Sequence, residues 1–419
     1  MLKRIPVSQL RVGMHVHELC GSWLDHPFWR TRFLLKRTRD LDRIVQGGVQ
    51  EVWIDVSKGL DVDTPGSGEP ALSRAEVDRQ IDTELARAVR ARKPGRASMG
   101  TELKRAARIC QNARGAVISM FSEARMGRAI DAGSALGLVD EIDASIERNP
   151  GALVSLARLK TADDYTYMHS VAVCGLMLSL GRQLGLDAPK LREAGLAGLL
   201  HDLGKALVPA EVLNKPGKLT DTEFAVMKTH PDLGHGLLLE AGTIGEMALD
   251  VCLHHHEKID GTGYPHRLDG SAISLYAKMG AVCDVYDAIT SNRPYKAGWN
   301  PAESIRRMAE WANGHFDERV FHAFVKSVGI YPVGSLVRLV SDRLAVVTEQ
   351  NEAALTLPRV KAFFSTRSDT HITPEIIDLA RKGEVDRITG REDPEKWDFR
   401  DLDLVWAGES APASRPKAA

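Results

Sequence analysis

We predict a mainly α protein, in which an all-helical central domain follows a small α+β domain and precedes a short C-terminal β unit. Helical periodicity recurs in closely spaced segments between about residues 135 and 328. Short stretches that alternate apolar and polar residues, as strands do, lie near both ends, and a Pro-, Gly- and Ser-rich stretch, DVDTPGSGEPALS, follows the first domain. The expected domains are a regulatory α+β domain over 1–65, a linker with connecting helices over 66–134, the central domain with a short β extension over 135–350, and a C-terminal extension with a disordered tail over 351–419.

In the first domain, IPVSQL, MHVHEL and VQEVWIDV alternate like strands, and KRTRDLDRIVQGG resembles a helix that stops at its two glycines. The charged segment TELKRAARICQNARGAVISMFSEARMG has apolar residues at helical spacing. We therefore expect a connecting helix that packs on a neighbour or on a second subunit, which makes a homodimer one expectation.

Two central helices have clear start signals. Asp187 lies just before Ala188-Pro189, and Thr220 with Glu223 has the spacing of a capping box. After the helices, GSLVRLVSDRLAVVTEQ and PRVKAFFST alternate like antiparallel strands, and ESAPASRPKAA is typical of a disordered tail.

The composition excludes several classes of protein. The 419 residues are 43% apolar and carry a net charge of -1, which argues against binding to a nucleic acid polymer or to an anionic membrane surface. The five cysteines form no CxxC pair, which favours reduced, mostly buried thiols. No signal-peptide core is present and no apolar run approaches membrane-spanning length, so we expect a cytoplasmic protein without a membrane span.

Histidine is concentrated in one stretch of 66 residues, from His201 to His266, which contains seven of the chain's 14 histidines. Imidazole is the commonest side-chain metal ligand, so this stretch predicts a metal site. His201 and Asp202 point about 100° apart on a helix and can hold one metal only near a helix end, which Gly204 supplies. The two oxygens of Asp202 can bridge two metals. Consecutive imidazoles likewise diverge, so two members of HHH can address different metals; His235 and His266 are expected to be structural.

The motifs HDLGK, HHE and DGTGYP, in this order, resemble the HD-GYP family of the HD phosphohydrolase superfamily. The resemblance runs from about Asp163 to Pro332 and includes YTYMHSVAV and DVYDAITSNRPYK, and the N-terminal residues resemble the accessory domain often found ahead of HD-GYP domains. It implies an all-helical HD-type catalytic domain. The implied activity is a metal-dependent phosphodiesterase that hydrolyses cyclic di-GMP to the linear dinucleotide pGpG and, in some members, to GMP.

The resemblance also implies the ligands of the metals, which would be His169, His201, Asp202, His230, His255, His256 and Asp284. Asp287 is expected to hold its helix or the following loop, and His254 has no ligand role. Some members carry a glutamate that helps to hold a third metal, and Tyr165 stands at that position here, so we expect two ions and not three. Imidazole and carboxylate ligands without thiolate favour iron or manganese, with zinc or nickel as alternatives.

For the reaction, the resemblance assigns catalytic roles to Asp202 and Lys205, and Lys205 would also contact the phosphate. Substrate contacts would come from Gly263 and Tyr264 in the signature turn and from a second phosphate clamp, Arg293 and Lys296. In this family the turn is also associated with binding diguanylate cyclase (GGDEF) domains, so such partners are expected alongside cyclic di-GMP.

Two alternatives stay open at this stage. The domain can be a catalytically weak cyclic di-GMP sensor or adaptor that binds GGDEF partners, or an enzyme for another nucleotide such as a 3′,3′ cyclic GMP-AMP. Every expected ligand except the optional glutamate is present, which favours the enzyme.

Overall fold

The computed structural model describes residues 2–19, 33–38, 41, 44–45, 51–62, 97–128, 131–159, 165–291, 298–399 and 402–411. The chain divides into two compact units, Met1–Gly95 and Arg96–Ala419. None of the helices in these described ranges is long and apolar enough to cross a membrane.

The first unit contains a four-stranded antiparallel sheet of order β1-β4-β2-β3. Its strands are β1 (Leu2–Pro6), β2 (His15–Leu19), β3 (Phe33–Leu34) and β4 (Glu51–Asp55). Alternate residues of the central strands, Val16, Val52 and Ile54, are fully buried in one apolar core, as the sequence pattern predicts. Most of the predicted helix KRTRDLDRIVQGG lies outside the described residues.

The second unit is mainly helical, which confirms the predicted fold class. Its helices are α1 (Met99–Arg125), α2 (Ala132–Arg148), α3 (Pro150–Ala157), α4 (Tyr165–Gln183), α5 (Ala188–Leu200), α6 (Ala210–Leu213), α7 (Asp221–Met227), α8 (His230–Ala241), α9 (Glu246–His254), α10 (Leu275–Thr290), α11 (Pro301–His315), α12 (Glu318–Val328) and α13 (Leu402–Ala407). Both predicted caps form: Asp187 accepts a hydrogen bond from the backbone N–H of Lys190 at 3.0 Å, and Thr220 forms a capping box with Glu223.

Helix α4 lies at the centre of this unit and contacts α1, α3, α5, α10 and α12. Its residues from Met168 to Leu180 are buried on every side, because the segment is apolar all round except for the histidine and serines that it carries. The predicted connecting helix, α1, contacts α2, α3 and α4 through buried residues such as Leu103, Ala106 and Val117. A side chain on α4 is therefore held in the closely packed interior of the unit.

The C-terminal strands form a five-stranded antiparallel sheet of order β8-β7-β6-β5-β9. They are β5 (Leu336–Leu339), β6 (Arg343–Glu349), β7 (Arg359–Ser365), β8 (Thr370–Asp378) and β9 (Ile388–Arg391). The expected boundary at residue 350 falls between β6 and β7, which pair in this sheet. Residues 412–419, within the predicted disordered tail, lie outside the described part of the chain.

Cys110, Cys174, Cys252 and Cys283 are buried, as their spacing predicts, while Cys20 lies outside the described ranges. Burial raises the pKa of the thiols of Cys174 and Cys252 above the usual range. These thiols are inert core residues.

Candidate metal centre

Five helices bring imidazoles and carboxylates together in the interior of the second unit. Histidine 169 lies in α4, the His-Asp pair directly follows α5, one histidine begins α8, two histidines directly follow α9, and a carboxylate comes from α10. All seven are the ligands predicted from the sequence: His169, His201, Asp202, His230, His255, His256 and Asp284. All are buried except His256, whose side chain is 22% exposed.

Asp202 lies between two groups of imidazoles. Its Oδ2 is 3.3 Å from His169 Nε2 and 3.4 Å from His201 Nε2. Its Oδ1 is 3.2 Å from His230 Nε2 and 3.7 Å from His255 Nε2. One carboxylate therefore faces both groups, one oxygen toward each.

Asp284 supplies the second carboxylate of the cluster. Its Oδ1 lies 3.0 Å from His169 Nε2, and its Oδ2 lies 3.7 Å from His256 Nδ1. Asp202 with His230, His255 and His256 offers ligand atoms that all lie within 4.8 Å of one another, and so does Asp202 with His169 and His201. These groups have the compactness that two metal positions need.

The protonation pattern of the imidazoles follows from their other partners. The Nδ1 atoms of His201, His230 and His255 donate to backbone carbonyls three or four residues earlier in the chain, at 2.8, 2.8 and 3.0 Å. A carbonyl oxygen can only accept, so each Nδ1 carries the proton and each Nε2 carries a lone pair. These lone pairs point into the cluster, in the orientation that metal-binding histidines adopt.

His169 is oriented by a carboxylate instead of a carbonyl. Its Nδ1 lies 2.6 Å from Oδ2 of Asp287, and both side chains are 2% exposed. Asp287 also accepts a hydrogen bond from Ser291 Oγ at 3.2 Å, so it holds the residue after its helix as expected. The contact with His169 was not predicted. The spacing of Asp284 and Asp287, which puts them on one face of α10, is the sequence signal from which this contact could have been predicted.

The electrostatics favour ionised carboxylates, neutral imidazoles at His255 and His256, and a protonated imidazole at His169 when no metal is bound. Burial alone would raise the pKa of Asp202, but Lys205 and the neighbouring histidines hold it well below the usual range, and histidines do the same for Asp284. Burial lowers the pKa of His256 to about 3, and burial also holds the pKa of His255 well below its usual range. Burial also lowers the pKa of His169, but hydrogen bonds to carboxylates outweigh it and raise the pKa to about 10.

The donor atoms fit divalent metal ions. Asp202 Oδ1 is buried and has no hydrogen-bond partner among the described residues, although two imidazole nitrogens face it. The nitrogens themselves face one another, with 3.2 Å between His169 Nε2 and His201 Nε2 and 3.4 Å between His230 Nε2 and His255 Nε2. Nitrogens that converge in this way in a buried site repel unless a proton or a metal ion lies between them.

Lys205 and the signature turn border this cluster. Lys205 Nζ donates to Asp202 Oδ2 at 2.5 Å, and its side chain is 20% exposed. The ring of Tyr264 stacks on that of His256, with 4.6 Å between the centroids. Glu257, which is 2% exposed, accepts hydrogen bonds from the backbone N–H groups of His266 at 2.6 Å and Leu268 at 3.0 Å. Glu257 therefore anchors the turn, a role that the sequence analysis missed although the residue belongs to HHE.

Two glycines are required by close backbone approach. A Cβ on Gly204 would lie 1.9 Å from the carbonyl oxygen of His230, so only glycine lets the turn after Asp202 reach the start of α8. A Cβ on Gly263 would lie 2.4 Å from the backbone nitrogen of Lys258. Gly263 is buried against that backbone, and its predicted contact with a ligand stays a prediction.

The other histidines of the stretch do not join the cluster ligands. His254 Nδ1 pairs with Asp250 Oδ1 at 2.8 Å, and its Nε2 lies 3.1 Å from Nδ1 of His266. His235 is half-buried in α8. The predicted phosphate clamp, Arg293 and Lys296, lies outside the described residues, as does the side chain of Tyr165.

Comparison with known proteins agrees with this geometry. Residues 145–320 match the family described as "HD domain", and residues 2–135 match a domain of unknown function, DUF3391. The chain is 59% identical over 409 residues to the cyclic di-GMP phosphodiesterase PA4108 of Pseudomonas aeruginosa, which covers 97% of this chain and 96% of that protein. The chain belongs to the HD-GYP phosphodiesterase family.

Two further relatives of this HD-GYP protein match its central part. The cyclic di-GMP phosphodiesterase response regulator RpfG of Xanthomonas campestris is 41% identical over 155 residues, which are 37% of this chain and 40% of that protein. The 3′3′-cGAMP-specific phosphodiesterase 1 of Vibrio cholerae is 35% identical over 165 residues, which are 39% of this chain and 38% of that protein. Both matches are far shorter than the match to PA4108, which extends over both units.

Proposed function

We propose that this HD-GYP protein is a metal-dependent phosphodiesterase that hydrolyses cyclic di-GMP to pGpG, with GMP as a further product. The observation that carries the proposal is the buried cluster around Asp202, in which ionised carboxylates and oriented imidazoles meet. The relative that is 59% identical along almost the whole chain supports the choice of substrate.

The proposal assigns two divalent ions to the cluster. His169, His201 and Asp284 would hold one, His230, His255 and His256 would hold the other, and Asp202 would contribute one oxygen to each. Nitrogen and oxygen donors without thiolate favour iron or manganese, with zinc or nickel as alternatives. A third ion is not proposed, because Tyr165 stands where some family members have the additional glutamate.

The chemistry divides between the ions and the chain. When bound, such ions polarise a phosphoryl oxygen and allow water to act as a nucleophile near neutral pH. Water adds across one 3′ ester bond of the cyclic dinucleotide, which leaves a 3′ hydroxyl and a 5′ phosphate. Asp202 and Asp284 remain ionised throughout and hold the positions of the cluster, since their pKa values lie well below neutrality.

Lys205 is the proposed residue for stabilising charge on the phosphate. Its ammonium group lies at the edge of the cluster, half-buried and 2.5 Å from Asp202 Oδ2. It has three N–H donors, so it can donate to a non-bridging phosphate oxygen as well as to Asp202. A hydrogen bond to a charged group contributes about 1.5–3 kcal/mol. Tyr264 covers His256 with one face of its ring and would offer the other to guanine. Arg293 and Lys296 are retained as the second phosphate clamp from the family resemblance.

The decisive experiment uses the full chain, purified anaerobically and reconstituted with Fe²⁺ or Mn²⁺. Cyclic di-GMP and 3′,3′ cyclic GMP-AMP are incubated in parallel and the products are separated by chromatography. We expect pGpG to form faster than the product from the mixed dinucleotide. Tight binding of cyclic di-GMP without product for either metal would replace the enzyme with the sensor or adaptor.

GGDEF-domain partners, a homodimer and a cytoplasmic location belong to the same proposal. The resemblance of the signature turn supports the partners, and the long helix α1 was expected to pack on a neighbour or on a second subunit. Light scattering of the purified chain tests the dimer. Co-purification with an added GGDEF domain, compared between the wild type and Tyr264→Ala, tests the partner.

A further inference from the structure

An aromatic pair, of which Trp311 is exposed and Trp299 half-buried, lies on the second unit, outside the motifs that predict the metal centre. The rings of Trp299 and Trp311 have centroids 6.0 Å apart and are tilted by 54°. Arg307 lies over the ring of Trp299 at 4.9 Å and also donates to Glu303 at 3.0 Å. Trp311 is 37% exposed, so this supported pair presents indole surface to solvent.

The helix that carries Trp311 is joined to the signature turn. The backbone N–H groups of Ile259 and Asp260 donate to the carbonyl oxygens of His315, at 3.4 Å, and Gly314, at 3.1 Å. Trp311 precedes Gly314 by three residues, which is close to one helical turn. Trp311 therefore lies about one helical turn from the residues that bond this loop, in which Tyr264 stacks on His256.

The backbone of Trp299 is joined to the helix that carries Asp284. The N–H of Trp299 donates to the carbonyl oxygen of Ile289 at 2.8 Å, near the end of α10. A Cβ on the preceding residue, Gly298, would lie 2.3 Å from the carbonyl oxygen of Thr290, so glycine permits this close approach. Two independent connections thus hold the aromatic pair beside the elements that build the metal centre.

A flat heteroaromatic base is the ligand that such a surface suits. Bases stack on indole rings, and a nearby guanidinium group adds a cation–π contribution. The cyclic dinucleotide carries two guanines in the same molecule as the phosphate that the centre would bind, so a base must lie beside the cluster. We propose that Trp311, supported by Trp299, is the stacking platform for one guanine of the substrate. This inference rests on the proposed function and adds a specificity residue to it.

The test compares Trp311→Ala, Trp311→Phe and Trp299→Ala with the wild type, and uses Ile376→Ala as a control. Ile376 is 64% exposed and lies in β8, so its removal deletes exposed apolar surface outside the aromatic pair. Each reconstituted variant is assayed with cyclic di-GMP and with methyl p-nitrophenyl phosphate, a diester that has no purine. Metal content and thermal midpoint are measured on the same preparations.

We expect Trp311→Ala to raise KM for cyclic di-GMP roughly tenfold with little change in kcat. Trp311→Phe should recover part of the loss, Trp299→Ala should lie between Trp311→Ala and the wild type, and Ile376→Ala should match the wild type. Activity on methyl p-nitrophenyl phosphate should be unchanged in all four variants. An unchanged KM in Trp311→Ala, or an equal loss with both substrates, would overturn the platform.

Equilibrium dialysis of cyclic di-GMP separates this inference from the proposed enzyme. If the wild type binds cyclic di-GMP without turnover, the enzyme fails, and weaker binding by Trp311→Ala still supports the platform. Equal binding by the two proteins refutes it. If Trp311→Ala loses only the capture of a GGDEF domain, the surface binds a protein instead of a base.

Discussion

Asp287→Asn tests how the most central imidazole of the metal centre is held. Asp287 accepts a hydrogen bond from His169 Nδ1 at 2.6 Å inside the protein, where both side chains are 2% exposed. An ionised carboxylate can only accept, so it keeps a proton on Nδ1, and Nε2 is the nitrogen that gives up its proton to a metal. The amide of asparagine can donate to Nδ1 instead. That contact would move the proton to Nε2, which faces Asp202 and Asp284, and remove the ligand atom.

The expected loss follows from the kind of contact that is replaced. Partners that orient metal-bound histidines change metal affinity or activity about 10–100-fold, which corresponds to about 1.4–2.8 kcal/mol. A buried charge-assisted hydrogen bond contributes a similar amount, about 1.5–3 kcal/mol. We therefore expect Asp287→Asn to weaken metal binding about 10–100-fold, measured by competition with a chromophoric chelator and checked by elemental analysis.

Ser291→Ala is the matched control for this variant. It removes the hydrogen bond from Ser291 Oγ to Asp287 Oδ1, which is 3.2 Å long, and leaves the contact with His169 in place. Its metal affinity should stay close to that of the wild type. If Asp287→Asn also binds metal as the wild type does, the carboxylate does not set the tautomer of His169 and the reasoning is refuted.

Four further predictions address the cluster directly. Asp202→Ala removes the carboxylate that faces both imidazole groups and should abolish metal retention and turnover; full activity would mean that the ligand assignment is wrong. Lys205→Ala should keep its metal content but lose about 10- to 150-fold in kcat, and an unchanged rate would exclude its role at the phosphate. Gly204→Ala should lower the thermal midpoint and the metal content together, because its Cβ would lie 1.9 Å from the carbonyl oxygen of His230; a wild-type melting curve would contradict the close approach. The pKa of His169 is raised to about 10, so the metal-free protein still holds this proton at neutral pH and metal binding must displace it. Affinity for Mn²⁺ should therefore increase from neutrality toward about pH 10, and a flat profile in chelator competition would argue against a protonated His169.

The sequence indicates the side chains that the structure brings together in the cluster better than it indicates the residues that orient them. The ligands belong to short motifs with chemically distinctive residues, such as the adjacent His201 and Asp202. The partners of those ligands depend on which helices meet, which a single sequence does not reveal. Asp287 reaches His169 across 118 positions of the chain, and Glu257 recognises backbone N–H groups that carry no side-chain signature.

The fold shows the same division between local and long-range information. The helix starts at Asp187 and Thr220 could be predicted because capping uses residues three positions apart. Strand β8 could not be predicted from alternation, since it lies at the edge of its sheet and is largely exposed on both faces. It contains Pro374, which edge strands tolerate because one row of their backbone groups is unpaired.

The charge balance of the cluster explains why this chain concentrates histidine where it does. Asp202, Asp284 and Asp287 are buried carboxylates that all contact the imidazole of His169. The ammonium group of Lys205 pairs with Asp202. Buried negative charge costs several kcal/mol per ion unless cations compensate it. Neutral imidazoles cannot supply that charge, but they can hold divalent ions that do. Without metal, a proton on His169 supplies part of the positive charge that the three carboxylates need, and this is why the pKa of His169 is raised. Loss of the ions should therefore weaken the packing of α4, α5 and α10 as well as the chemistry, which links the stability of the helical core to the occupancy of the centre.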